Sequence, residues 1–191
     1  MSCILNIETS TSVCSVALSM DGEVLFAKAS FDGPSHAALL GVFVEEALSV
    51  LKKKGKKALD AVAVSSGPGS YTGLRIGVSV AKGLCFGFGI PLIGIHTLDI
   101  MAATVNSKGD SQIVSITDDC LYCAMLDARR MEVYAAIYDA SLKPVRETKA
   151  DVVEVGTYPS YLEKGKVCFF GNGASKCNSV ITSPNAIFIE V

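Results

Sequence analysis

Apolar and polar positions alternate along three short stretches at the start of the chain. Ile4 to Glu8, Val13 to Ser19 and Glu23 to Ser30 each read as a strand, separated by the hydroxyl run Thr9-Ser10-Thr11-Ser12 and the turn Met20-Asp21-Gly22. The period then changes. Leu39, Leu40, Phe43, Ala47, Leu48 and Leu51 recur at spacings of three and four, which predicts an amphipathic helix over 36–53 that starts near Ser35 and stops at Lys52-Lys53-Lys54-Gly55. A strand over 60–65, a helix over 72–86 beyond a glycine-rich turn, a strand over 91–95 and a helix from Thr97 to about Val105 follow.

The second part repeats the first. Tyr122 to Asp127 is an apolar strand ending in an acid, as Ile4 to Glu8 is, and an alternating strand through Val133 follows a short turn in both places. The order continues with a strand near 144–149, a short helix around 158–163, a strand over 166–170, the turn Gly171-Asn172-Gly173 and a strand over 186–191. Gly171 and Gly173 stand where Gly67 and Gly69 stood. The pattern predicts an α/β protein of two βββαβαβα lobes, 1–108 and 109–191, with a border in the loop-like Asn106 to Ser111. The second lobe lacks a counterpart of the helix from Thr97, so the chain reads as truncated or naturally reduced there. An uncovered apolar sheet face costs about 25 cal/mol per Å², so something is expected to cover it.

Composition narrows the class. Half of the 191 residues are hydrophobic and 19% charged, which excludes a disordered chain. A net charge of −2 gives no positive field for autonomous nucleic-acid binding. The most apolar stretch, Leu84 to Ile95, is interrupted by glycines and Pro91 and falls short of the roughly 20 residues a membrane span needs. The start of the chain has no basic leader, and a cytoplasmic protein is expected. The seven cysteines lie mostly in strand-like runs and read as reduced packing residues, the Cys120-x-x-Cys123 pair included.

The segment with most chemical content is Gly67-Pro68-Gly69-Ser70-Tyr71-Thr72-Gly73-Leu74-Arg75-Ile76-Gly77, after a strand and opening a helix. Two readings stay open. Glycines and a helix N-terminus make an anion cradle, or Ser70 or Thr72 caps the helix while Gly73 and Gly77 allow close packing. Arg75 opposes the helix dipole there and calls for an anion, from Glu8, Asp99 or a partner carboxylate. Glu8, Thr9, Ser10 and Ser12 could hold a metal-bound water or donate to phosphate, and Asp127 is the symmetric acid, so two facing lobes would form a nucleotide cleft. Metal and nucleophile chemistry find little support. Leu40 stands one turn after His36 where a two-histidine helix face would need its second ligand, and no nucleophile elbow occurs. The lysines at 52, 53, 54, 56 and 57 suit a solvated helix end, with an RNA-backbone contact as the alternative.

These motifs resemble the TsaB (YeaZ) family, actin-like subunits in the synthesis of N6-threonylcarbamoyladenosine in tRNA. The resemblance rests on Ile4-Leu-Asn-Ile-Glu-Thr-Ser-Thr, on Gly67 to Gly77, and on Leu126-Asp-Ala-Arg129 followed by Glu132-Val-Tyr134. It implies an actin-like ATPase (ribonuclease H-like) fold and a noncatalytic scaffold role with no catalytic or metal-binding residue of its own. The implied partners are a larger TsaD-like paralogue carrying the metal-binding histidines and a TsaE-like ATPase. tRNA is met only through the complex. The isolated chain requires no cofactor, ATP belongs to the assembled complex, and isolated members self-associate as homodimers. The implied partner surface is the helix pair 36–53 and 72–86, with His36, Leu39, Leu40, Phe43, Ala47 and Arg75 as participants, although Leu40, Ala47 and Leu51 read rather as lobe core. Glu8, Thr9, Ser10, Gly67, Gly69, Ser70, Thr72 and Asp127 are the candidate nucleotide or anion contacts. Relatives usually carry Asp in place of Glu8, whose longer side chain would crowd a phosphate, and usually extend further with helices completing the second lobe. An actin-like ATPase or small-molecule kinase is the competing reading. A metallopeptidase is a third, for which no ligand set is found.

Overall fold

The computed structural model describes residues 2–32, 35–55, 58–107 and 120–190. The chain divides into two compact units, Met1–Thr97 and Leu98–Val191. In the first, strands β1 (Cys3–Glu8), β2 (Cys14–Met20) and β3 (Glu23–Ser30) form an antiparallel meander, as the alternation predicts. Helix α1 (His36–Lys53) returns the chain to β4 (Ala61–Ser65), and α2 (Tyr71–Phe88) leads to β5 (Leu92–Ile95). Both crossovers add a strand parallel to its neighbour, giving the order β3-β2-β1-β4-β5.

The period of two in β1 and β2 turns Cys3, Leu5, Ile7, Cys14, Val16 and Leu18 toward one side, where they pack with Val62 and Val64 against α1. Leu40, Phe43, Val44, Ala47 and Leu51 are the inward stripe of that helix. Helix α2 meets the sheet through Gly73, Gly77 and Ala81, four residues apart and all buried. It ends at Gly89 in the left-handed conformation that a helix C-terminus favours.

The second unit repeats this plan in the order β10-β9-β6-β7-β8. Helix α3 (Thr97–Ser107) precedes a meander of β6 (Leu121–Asp127), β7 (Glu132–Tyr138) and β8 (Pro144–Val152). The short helix α4 (Pro159–Leu162), strand β9 (Val167–Phe170), a 3-10 turn at Ser175–Cys177 and strand β10 (Ala186–Phe188) follow. Alternate residues of β6 enter different cores. Cys123 and Met125 pack with Tyr158, Leu162, Cys177 and Ile181 on one face, and Tyr122, Ala124 and Leu126 pack with Leu98, Ala102 and Val105 of α3 on the other.

That second core differs from the expected border. Helix α3 reads in sequence as the closing helix of a first lobe 1–108, whereas the division falls at Thr97/Leu98 because the apolar stripe of α3 lies on the second sheet. The expected loop border continues past residue 107 outside the described residues, as do Lys56 and Lys57. The two faces of the second sheet pack against α3 and against the α4-to-Ile181 segment, respectively.

Burial also corrects part of the expected partner surface. His36, Phe43 and Ala47 are 4%, 4% and 0% exposed within their own unit. The ring of Phe43 carries the Lys28 ammonium 4.9 Å from its centroid, and Lys28 in turn binds Glu46 at 2.6 Å. Leu40 is 1% exposed, Leu39 is half-buried and Arg75 exposed, so only the last two of the six can meet a partner directly. Phe43→Asp is accordingly expected to lower stability by at least about 3 kcal/mol, through a lost core ring and a buried charge. Chemical denaturation with circular dichroism would measure this, and a normally folded variant would place Phe43 outside the core.

Candidate functional site

The segments expected to carry chemistry meet at one joint in the first unit. The β1–β2 turn presses onto the N-terminal half of α2, and glycine is what lets it. A Cβ at Gly73 would overlap the backbone oxygen of Thr9, a Cβ at Gly77 would overlap the Thr9 hydroxyl, and one at Gly69 would lie 2.7 Å from the Ser10 Cβ. Thr9 and Ser10 are consequently 0% and 1% exposed.

Two N–H donors of the glycine-rich turn are committed inside this joint. The Ser70 N–H donates to the Ser10 carbonyl at 2.6 Å, and the Gly73 N–H donates to the Ser70 hydroxyl at 3.3 Å, which makes Ser70 the cap of α2. The Gly67 carbonyl accepts from Thr97 N–H at 3.0 Å, and Gly67 itself has a φ of +104°, a conformation glycine adopts without strain. Glu8 closes its own turn by accepting the Ser10 N–H at 2.6 Å. The third partner is His36, whose Nε2 lies 2.9 Å from the Thr11 carbonyl and carries the proton in that bond. Of the two readings open for this segment, the geometry is that of a capped, tightly packed strand-to-helix connection. Glu8, Thr9, Ser10, Gly67, Gly69 and Ser70 are together in space as parts of this joint.

The second unit builds the same joint with different side chains. The Gly173 N–H donates to the Met125 carbonyl at 3.1 Å, and Asn172 Oδ1 accepts from the Asp127 N–H at 2.9 Å. A Cβ at Gly173 would sit 2.8 Å from the Leu126 carbonyl carbon. The Asp127 carboxylate accepts from the Arg129 N–H at 3.0 Å and pairs with Lys176. The hydrogen bond from Lys176 is the main reason its carboxyl is held below the usual value. Lys176 also donates to the Glu132 carbonyl at 2.6 Å, so it ties the hairpin to the 3-10 turn. Beside this joint lies a groove of about 410 Å³ lined by Asn172, Ser175, Asn178, Phe188 and Glu190 among others, with no cation in its wall.

The cysteines are packing residues. All seven are free, six are buried, and burial pushes the Cys168 thiol up to about 12 and that of Cys123 higher still. Among the described residues no three of His, Cys, Asp and Glu gather as metal ligands. No described helix is long and apolar enough to cross a membrane.

A different surface remains open. A groove of about 450 Å³ between the two helices of the first unit is lined by Ala37, Thr72, Arg75, Ile76, Ser79 and Val80. Arg75 meets no carboxylate there, and its guanidinium lies 5.3 Å from the Tyr71 ring centroid, a ring itself 74% exposed. Thr72, a candidate phosphate contact in sequence, belongs to this groove. Sequence reasoning missed Tyr71, Ser79 and Lys176. The first two lie one helical turn before and after Arg75, whereas nothing local to Lys176 points at Asp127.

Fold and joints together define an actin-like α/β protein of two related units. Residues 32–177 match the family described as TsaD: tRNA N6-adenosine threonylcarbamoyltransferase, and the chain belongs to that family. Within it the likeness is to TsaB/YeaZ. The Escherichia coli K12 tRNA threonylcarbamoyladenosine biosynthesis protein TsaB is 38% identical over 71% of this chain and 54% of its own length. YeaZ from Pseudomonas aeruginosa superposes with a TM-score of 0.72 at 26% identity, covering 98% of this chain and 84% of that one. Another Pseudomonas aeruginosa structure, described as similar to peptidase YeaZ, gives 0.79 at 26% identity over 100% and 85%. The chain spans about half the length of the curated relatives it matches.

Two predictions follow from the joints. Gly73→Ala is expected to lower the melting temperature by displacing the β1–β2 turn, whereas Gly83→Ala, where a Cβ meets open space, should stabilise by about 0.5–1 kcal/mol. Equal effects would show that the turn does not press on α2. Because the Asp127 pKa is depressed on folding, the stability it contributes is present above the unfolded carboxylate pKa and is lost as pH falls through its folded value. With a half-exposed partner pair this contribution stays under about 1 kcal/mol, and Asp127→Asn should remove it at neutral pH and flatten the acid limb of a stability-versus-pH curve.

Proposed function

We propose that the chain is the noncatalytic subunit of an assembly that forms N6-threonylcarbamoyladenosine in tRNA, docking a larger TsaD-like paralogue through the outer faces of α1 and α2. The observation that carries this reading is the closed joint. In an actin-like protein that turned over ATP alone, the glycine-rich turn would offer free donors to phosphate, and here Ser70 and Gly73 donate inside the protein. The position after His36 that would complete a metal-binding pair is Leu40, which is 1% exposed and part of the core. Names carried by relatives, TsaB above all, point to the same pathway.

In this reading the paralogue performs the transfer, a TsaE-like ATPase joins the assembly, and ATP acts in the complex rather than on this chain. tRNA is held mainly by partners, in keeping with the net charge of −2. The assembly is cytoplasmic. Reconstitution tests the reading: modification of tRNA should require this chain together with the paralogue. Full activity of the paralogue without it would overturn the proposal. Calorimetry of Mg-ATP with the isolated chain is expected to give no saturable heat, and stoichiometric binding would favour the ATPase or kinase alternative.

A further inference from the structure

The positive charge of this chain is concentrated in one place. Five of its 17 basic side chains, those of Lys52, Lys53, Lys54, Lys56 and Lys57, fall within six residues, leaving 12 against 19 acidic ones elsewhere. The fold sets the run at the tip of a helix. Helix α1 spans 18 residues, about 27 Å, and His36 holds its start at the joint, so its last turn carries Lys52 and Lys53 at the opposite end. Lys54 caps the helix, and Gly55, at a φ of +75°, turns the chain away.

Lys52, Lys53 and Lys54 are all exposed, and among the described residues none of the three pairs with a carboxylate. Successive helical residues point about 100° apart, so their ammonium groups fan around the end of the axis. The helix dipole takes up part of this charge. It amounts to about half a negative charge at the C-terminus and fades within one turn, which favours Lys52 and Lys53 without balancing the whole run. Asp60, the next acid along the chain, accepts the Cys3 N–H at 2.6 Å. Like charges this close repel one another, and a polyanion relieves that repulsion.

We infer that the tip of α1 is a contact for the phosphate backbone of the tRNA on which the assembly acts, with Lys52, Lys53 and Lys54 as its cations. This rests on the assembly assigned under the proposed function and adds the surface by which this chain meets RNA. Ammonium groups on long flexible stems neutralise phosphates without reading bases, so the contact holds and orients RNA but carries no sequence information. A few local cations of this kind suit a chain whose net charge of −2 leaves most RNA binding to its partners. An anionic membrane would attract the same lysines. A helix that lies on a bilayer, however, brings apolar side chains with its cations, and Leu51 beside them is 4% exposed and part of the core.

The test uses the full chain assembled with the TsaD-like paralogue, with fluorescence anisotropy of labelled tRNA as the readout. Lys52→Gln, Lys53→Gln and Lys54→Gln combined should weaken tRNA binding at least about tenfold at about 0.1 M salt. The slope of log affinity against log salt should become shallower by about 2. Lys52→Arg, Lys53→Arg and Lys54→Arg combined should keep both affinity and slope. Because the three side chains are exposed, thermal unfolding and the sedimentation of the complex should match the wild type in both variants. The loss should be equal for a tRNA whose target adenosine is replaced, and a loss confined to the tRNA bearing it would overturn the backbone assignment. Unchanged affinity and slope in the neutral triple variant would overturn the inference while leaving the assembly standing. If the wild-type chain instead binds phosphatidylglycerol vesicles through these lysines and tRNA binding ignores them, the surface belongs to a membrane and the inference fails. Should the wild-type chain not sediment with the paralogue at all, the proposed function falls, and with it a contact that exists only beside that partner.

Discussion

The first unit depends on how closely a hydroxyl turn can approach a helix. Thr9 and Ser10 lie against Gly69, Gly73 and Gly77 at distances that no side chain would permit, and this sets α2 on the end of β1. Ser70 then caps α2 and donates its own N–H to the Ser10 carbonyl of the same turn, while His36 brings the start of α1 to Thr11. One close contact therefore places two helix N-termini. With their starts held at the joint and their apolar stripes on the sheet, the two helices have only their outer faces left to present.

In this joint the glycine-rich segment serves packing. Glycines serve close approach as readily as they serve anion binding, and the two uses compete for the same N–H groups. Here Ser70 donates to Ser10 and Gly73 to Ser70, so these two N–H groups belong to the fold. The second unit reaches an equivalent state by another route. Asn172 satisfies the strand end and Lys176 pairs with the Asp127 carboxylate.

Much of this was legible in the sequence because it is periodic. Helix α1 was expected over 36–53 and is found there, since its apolar residues recur at three and four and its end is marked by lysines and glycine. The meander of β1 to β3 and its repeat in β6 to β8 followed from alternation, whereas the cap of α2 was open between Ser70 and Thr72 until the structure gave it to Ser70. Less legible was the inward or outward sense of residues at the margin of an apolar stripe. Phe43 and Ala47 sit beside Val42 and Leu48 in sequence, and a helix pattern this apolar does not distinguish the core edge from a docking edge until the sheet is beneath it.

By itself the sequence determined the elements, their order, the internal repeat and the family, because each of these is written in local spacing and in glycine positions that tolerate few alternatives. Tertiary structure alone decided three things. It assigned α3 to the second sheet, since Leu98, Ala102 and Val105 could have covered either. It gave Asp127 to Lys176, a pairing across 49 residues that no local pattern encodes. It also turned Phe43 inward and left Arg75 outside with an aromatic ring and no acid. Burial and charge pairing belong to which surfaces meet, and that is settled only when the sheets and helices pack.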